Sequence, residues 1–228
     1  MSDCAMGQVS ARFFQCGARD CGLRFPVIPN DGFRGVCPRC RGAVEQVATR
    51  DALDDSRSMV ARRRGLALHL LLDNWRSSFN VGSALRTADG VGAEMVHLCG
   101  ITPTPAQGKV AKTALGAESA VAWRYHPNGV EAACTLRAEG ARLWVLETLP
   151  QAVALHAAIL PEDERALVLV AGNEIAGVDP GIVALADQVI ALPMAGGKRS
   201  LNVAIALSIA AYWLTLVGRA EPGLSLRV

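Results

Sequence analysis

The sequence predicts an α/β fold with a mostly parallel sheet, preceded by a small module stapled by cysteines. Three observations carry this. Short apolar runs alternate with helix-like segments from Gly65 onward, and strand–helix alternation marks parallel sheets, whose neighbouring strands need crossover connections. Four cysteines near the N-terminus stand in two close pairs. The chain has 228 residues, 51% of them apolar, enough for one ordinary core plus a minor unit, which excludes disorder over most of its length.

The module comes first. Cys16 and Cys21 frame a Cys-x4-Cys pair and Cys37 and Cys40 a Cys-x2-Cys pair, with fifteen residues between the pairs. Such short intervals let two thiolates approach one tetrahedral Zn²⁺ at about 2.3 Å each. Gly22 and Gly42 follow the two pairs, where metal-binding turns use positive φ. So short a segment buries too little surface to fold alone, and bound metal would supply its folding free energy. The spacing resembles that of zinc-ribbon and rubredoxin-like modules. Iron is the alternative ion, and a redox pair or buried free thiols are the alternatives without metal. Four protein ligands leave no open position, so the metal would be structural. Phe14, Phe25 and Val36 are the expected core of a module drawn at residues 1–48. The odd total of seven cysteines argues against a disulfide scaffold. Cys4, Cys99 and Cys134 lack ligand spacing and read as incidental or core residues.

Residues 1–65 carry 11 Lys/Arg against 7 Asp/Glu, and the remainder 12 against 14. The formal net charge of +2 gives no global basic field, but a basic module beside a near-neutral body hints at a polyanionic partner. Residues 49–65 read as a linker holding Asp51, Asp54, Asp55, Arg57 and the triplet Arg62, Arg63 and Arg64, which faces RNA phosphate or simply solvent. The first residues lack an apolar run behind a basic start, which predicts no secretory signal and a cytoplasmic protein.

In the body, strands are expected at Leu66–Leu72, Met95–Cys99, Ala120–Tyr125, Leu143–Leu146, Leu167–Ala171 and Val189–Leu192, and helices near Val81–Val91, Val130–Glu139, Gly181–Ala186 and Leu201–Val217. The last helix begins an uncharged stretch, Leu201 to Gly218, that reaches the lower limit of a membrane span. Asn202, Ser208, Tyr212 and Thr215 within it, and no second span, predict a buried helix and no membrane. The body is drawn at 66–218 with a tail at 219–228. No Gly-x-Gly-x-x-Gly and no phosphate-binding Gly-x-x-x-x-Gly-Lys-Ser/Thr loop occurs. A nucleotide-like cofactor therefore needs another cradle, for which Gly172, Gly196 and Gly197 are candidates.

Three separated segments carry the chemistry. NVGSALRTADGVGAEMVHLCG follows a strand and opens a helix with Asn80 near its N-cap; Arg86 lies six residues on. LVLVAGNEIAGVDP is an apolar strand ending in Gly172 and Glu174, and strand ends are where α/β sheets bind ligands. VIALPMAGGKRSLNVAIALSIAAYWL passes from a strand through a glycine loop to Ser200, Asn202 and the apolar helix. Backbone groups of that loop can serve an adenine ring, and Ser200 is a candidate N-cap. Taken singly, each reads equally as ordinary structure: a capped helix with an exposed arginine, a strand-to-helix turn, a helix cap.

Together, in this order, the three segments resemble the SpoU/TrmH family of the SPOUT RNA methyltransferases over about residues 65–218, and KTALGAE (Lys112–Glu118) is similar too. The resemblance implies an α/β knot whose C-terminal trefoil holds S-adenosylmethionine, a homodimer, and transfer of the methyl group to a ribose 2′-hydroxyl of tRNA or rRNA. Residue by residue it implies cofactor contacts at Gly172, Leu192 and Leu201 and active-site positions at Asn80, Arg86, Glu174, Ser200 and Asn202. Arg86 is the family's proposed base or activator. A guanidinium is a poor base at neutral pH, so Arg86 is expected to position phosphate and hydroxyl and to stabilise developing alkoxide charge, with Asn80 fixing its rotamer and Glu174 orienting either Arg86 or the ribose. Leu192 replaces a frequent isoleucine, and the cysteine module replaces the usual N-terminal substrate domain. Its Arg19, Arg24, Arg34, Arg39 and Arg41 are expected to meet RNA phosphate, and Phe33 to stack on an unpaired base. A non-catalytic RNA-binding protein on the same scaffold is the alternative function.

Overall fold

The computed structural model describes residues 11–50, 66–161, 163 and 165–217. Cys4, all of the linker beyond Arg50 and the 219–228 tail lie outside the described residues. The chain divides into two compact units, residues 1–60 and 61–228.

In the first unit β1 (Ala11–Cys16), β2 (Arg24–Val27) and β3 (Val44–Arg50) form an antiparallel sheet in the order β2-β1-β3. Its small core holds Phe14, Phe25 and Phe33, with Phe14 and Phe33 ring centroids 4.8 Å apart and Phe25 and Phe33 5.9 Å apart. Phe33 is half-buried in the module's own aromatic cluster. Gly22 has the expected positive φ of 57°, but in the second turn the left-handed residue is Arg41, at 66°. Gly42 serves closeness instead: a Cβ there would stand 3.3 Å from Cys40 Sγ.

The second unit is built on a seven-stranded, wholly parallel sheet. Its strands are β4 (Leu68–Asp73), β5 (Met95–Cys99), β6 (Trp123–His126), β7 (Arg142–Leu146), β8 (Val153–Ala154), β9 (Leu167–Ala171) and β10 (Gln188–Ala191), in the order β6-β5-β4-β9-β7-β10-β8. Helices α1 (Ser78–Val91), α2 (Gly108–Ala114), α3 (Ala117–Ala120), α4 (Gly129–Ala138), α5 (Pro180–Val183) and α6 (Val203–Tyr212) cover it. Side chains alternate across a strand, so Leu167, Leu169 and Ala171 of β9 face the core under α1, α2 and α6, while Val168 and Val170 face the one under α4 and α5. Burial on both faces explains why the central strands read as unbroken apolar runs.

α6 continues into a π-turn, Trp213–Val217. It buries Leu207, Ala210, Ala211 and Leu214 and exposes Ile205, Ile209 and Tyr212. Among the described residues no helix is long and apolar enough to cross a membrane.

Two sequence expectations at helix starts are corrected. α1 begins two residues before Asn80, capped by Ser77, whose side chain accepts from the Asn80 N–H. α6 is capped by Asn202 rather than Ser200, its Oδ1 accepting from Ala204 N at 2.9 Å and Ile205 N at 3.3 Å. An amide oxygen two residues before the first free N–H groups meets the capping geometry that Ser200, two residues further out, does not.

Candidate active site

A pocket of about 320 Å³ opens at the carboxyl ends of β9, β7 and β10, which are neighbours in the sheet. This is the ligand position of open α/β sheets, and the volume is that of a small-molecule site. Gly172 and Glu174 follow β9, Glu147 and Thr148 follow β7, and Leu192 follows β10, while Ser200, Leu201 and Asn202 close the pocket from the segment entering α6. The second and third motifs, far apart in sequence, thus meet in one cavity. Gly196 and Gly197 do not line it.

Gly172 has a steric reason to be glycine. A Cβ there would lie 2.2 Å from Val178 N and 2.3 Å from the Gly177 carbonyl carbon and oxygen, so the chain after β9 doubles back against Gly172 itself. Asn173 and Gly177 close that loop with reciprocal backbone hydrogen bonds of 2.9 Å. Glu147, which the sequence reading missed, braces it: Oε2 accepts from Val178 N at 3.1 Å and Oε1 from Thr148 N at 2.9 Å. Asp73, buried at the end of β4, accepts from Asp179 N at 2.9 Å, and burial raises its pKa.

The loop presents Glu174 to the start of α1. Its carboxylate accepts from Arg76 N at 3.0 Å, Ser77 N at 3.3 Å and Asn80 Nδ2 at 3.0 Å. Asn80 Oδ1 in turn accepts from Asn202 Nδ2 at 3.1 Å, so Glu174, Asn80 and Asn202 form one chain joining all three motifs. Burial opposes ionisation of Glu174, but the backbone and Asn80 donors prevail and its pKa is lowered; a helix N-terminus favours the same charge.

Arg86 stands apart from this network. It is exposed and has no hydrogen bond or ion pair with any described residue. It lines a shallow groove on α1 and α6 with Phe79, Asn80, Asn202 and Tyr212. Asn202 borders both groove and pocket. The expected contacts of Asn80 and Glu174 to Arg86 are therefore replaced by contacts to each other.

In the first unit the Sγ atoms of Cys16, Cys21, Cys37 and Cys40 all lie within 4.8 Å of one another, with Cys16–Cys40 at 3.4 Å and Cys21–Cys37 at 3.7 Å. A tetrahedron of sulfurs about 2.3 Å from a central ion has edges of about 3.8 Å, so the four thiols fit one metal. The backbone N–H of Cys40 leads the contacts that lower the Cys37 thiol to about 6, whereas the crowded thiols of Cys16 and Cys21 are pushed up. Cys99 is a buried core residue whose thiol burial pushes up to about 12, and Cys134 is exposed.

Pocket, braced loop and parallel sheet define a ligand-binding α/β domain, and the chain also holds a four-thiol ribbon. Residues 67–212 match the model of the SpoU rRNA Methylase family, and the chain belongs to that family. It is 30% identical over 195 residues to the Bacillus subtilis (strain 168) 23S rRNA (guanosine(2553)-2′-O)-methyltransferase RlmP, covering 85% of this chain and 73% of that one. Identity is also 30%, over 154 residues, to the Escherichia coli (strain K12) tRNA (guanosine(18)-2′-O)-methyltransferase, covering 68% and 65%. Among solved structures, a TrmH-family RNA methyltransferase from Porphyromonas gingivalis superposes with a TM-score of 0.59 at 29% identity, over 73% of this chain and 64% of that one. An AdoMet-bound rRNA methyltransferase from Sinorhizobium meliloti gives 0.59 at 28%, over 64% and 54%. The chain thus spans only part of these relatives' length.

Proposed function

We propose that the protein transfers the methyl group of S-adenosylmethionine to a ribose 2′-hydroxyl of tRNA or rRNA. One observation carries the reading: Gly172, Leu192 and Leu201 line a single pocket with Glu174, Ser200 and Asn202, in a chain of the SpoU family. Bound there, the cofactor supplies an electrophilic methyl. The protein's part is alignment, since in-line displacement gains most from holding nucleophile and methyl in register. Gly172, Leu192 and Leu201 contact the cofactor, and Glu174 with Asn80 fixes the wall between pocket and groove. Ser200 and Asn202 complete that wall, and Arg86 holds phosphate and hydroxyl from the groove, stabilising alkoxide charge as the hydroxyl proton passes to water.

The trefoil knot belongs to this reading, as does a homodimer formed through the α1–α6 face, where exposed Phe79, Ile205 and Tyr212 line the groove with Arg86. So do a structural zinc in the four-cysteine site, RNA affinity from the exposed Arg19, Arg24, Arg34, Arg39 and Arg41, and a cytoplasmic location that follows from the RNA substrate. The division into module, linker and body 66–218 belongs to the reading too, with the module ending at Arg50, where β3 ends, rather than at residue 48.

The test is transfer of labelled methyl from S-adenosylmethionine to total tRNA and to rRNA, followed by nucleoside analysis. Label in a 2′-O-methylated, periodate-resistant nucleoside supports the proposal. RNA binding without transfer favours a non-catalytic RNA-binding protein.

A further inference from the structure

We propose that Glu147 binds the ribose hydroxyls of the nucleoside cofactor. This rests on the reading of the pocket as an S-adenosylmethionine site. β7 lies between β9 and β10 in the sheet, so Glu147, at the carboxyl end of β7, rises from the middle of the pocket floor between Gly172 and Leu192. It is half-buried, and among the described residues no Lys or Arg pairs with it.

Its two oxygens are each engaged once, by the Thr148 and Val178 N–H groups. An ionised carboxylate accepts about four hydrogen bonds in all. The backbone bonds fix its orientation, and each oxygen keeps one acceptor position for a ligand. Glu174, the other carboxylate lining the pocket, is already engaged by three donors from the start of α1. A vicinal diol offers two O–H donors matched to two carboxylate oxygens, and a strand-end carboxylate on a ribose hydroxyl is a recurring solution in parallel α/β sheets. Glu147 therefore selects ribonucleoside over deoxyribonucleoside ligands.

The experiment is calorimetric binding of S-adenosylhomocysteine and of its 2′-deoxy analogue to the full chain and to Glu147→Ala and Glu147→Gln. The wild type is expected to prefer the ribose form by about 10- to 100-fold, as for one hydrogen bond to a charged group. Glu147→Ala reduces the preference to within about 2-fold, and Glu147→Gln, which keeps one acceptor and the side-chain volume, is intermediate. Equal weakening of both ligands in Glu147→Ala overturns the proposal, leaving Glu147 as a loop brace. Equal affinity of the wild type for both ligands overturns it without any variant. If the wild type binds neither ligand, the cofactor reading itself fails, and that result precedes any substitution.

Discussion

Glu174 and Arg86 differ in how the chain holds them. Glu174 accepts three donors at the start of α1, so Glu174→Gln, with one acceptor oxygen in place of two, sets amide hydrogens against donors. Stability should fall by only about 0.5–1.5 kcal/mol, the net worth of a hydrogen bond, because Glu174 is exposed and water can serve the freed donors, and cofactor affinity should fall with it; unchanged urea midpoint and kinetics would remove Glu174 from both roles. Arg86 makes no such contact, so Arg86→Ala should leave the thermal midpoint and cofactor binding near wild type while methyl transfer drops by at least about 100-fold. A variant with near-normal turnover would take Arg86 out of the mechanism. The sequence exposed these residues because each sits in a dense motif. It hid Glu147, which ends an apolar strand as any polar loop residue does and enters the pocket only because β7 is threaded between β9 and β10. It also hid the Glu174–Asn80–Asn202 chain, whose members are 94 and 122 residues apart.

At the scale of elements, β5 and β9 were legible to the residue, since buried parallel strands are apolar throughout and end abruptly at polar turns. The short α2 and α3, of 7 and 4 residues, gave no signal because one or two turns carry too little periodicity to be seen. Nor did the sequence announce a line of histidines across β4, β5 and β6. His69 Nδ1 lies 3.2 Å from His97 Nε2, and His97 Nδ1 lies 3.0 Å from His126 Nε2. Each neutral imidazole can donate on one nitrogen and accept on the other, and protonation of the middle ring leaves it no acceptor. Burial first, then the charges of its histidine neighbours and Arg124, lowers His97 to about 3. Burial also lowers His69, opposed by Glu94 and Glu139, and lowers His126, joined by Arg124. A histidine whose folded pKa is depressed takes up protons first in the unfolded chain, so stability is full above about pH 6.5 and declines as pH falls toward the folded value. At pH 5 the His97 contribution should be a loss of about 2 kcal/mol. Urea unfolding at pH 7.5 and 5.0 checks this: the wild type should lose markedly more stability than His97→Asn, and equal losses would assign the acid sensitivity to carboxylates.

For the molecule as a whole, the two units draw stability from different sources. The body buries two apolar layers against a seven-stranded sheet, whereas the described module has three short strands and few buried apolar side chains, so the metal proposed for the thiol cluster is expected to supply its folding free energy. Chelation should release one equivalent of zinc and abolish the structure of residues 11–50, leaving the thermal transition of residues 66–217 in place; a chelator that melts both units together would contradict this independence. The same division sets the expectation for RNA. Arg19, Arg24, Arg34, Arg39 and Arg41 are all exposed, and each phosphate contact adds roughly 0.7 to 0.9 to the slope of log affinity against log salt. Deleting residues 1–50 should therefore weaken RNA binding at low salt and flatten that slope by about 3 to 5 while cofactor affinity stays unchanged. Because phosphate contacts position without reading sequence, the loss should be similar for tRNA and for rRNA fragments. A deletion that weakens one RNA alone would make the module a reader of its target, and one that leaves the salt slope intact would move RNA recognition to the body.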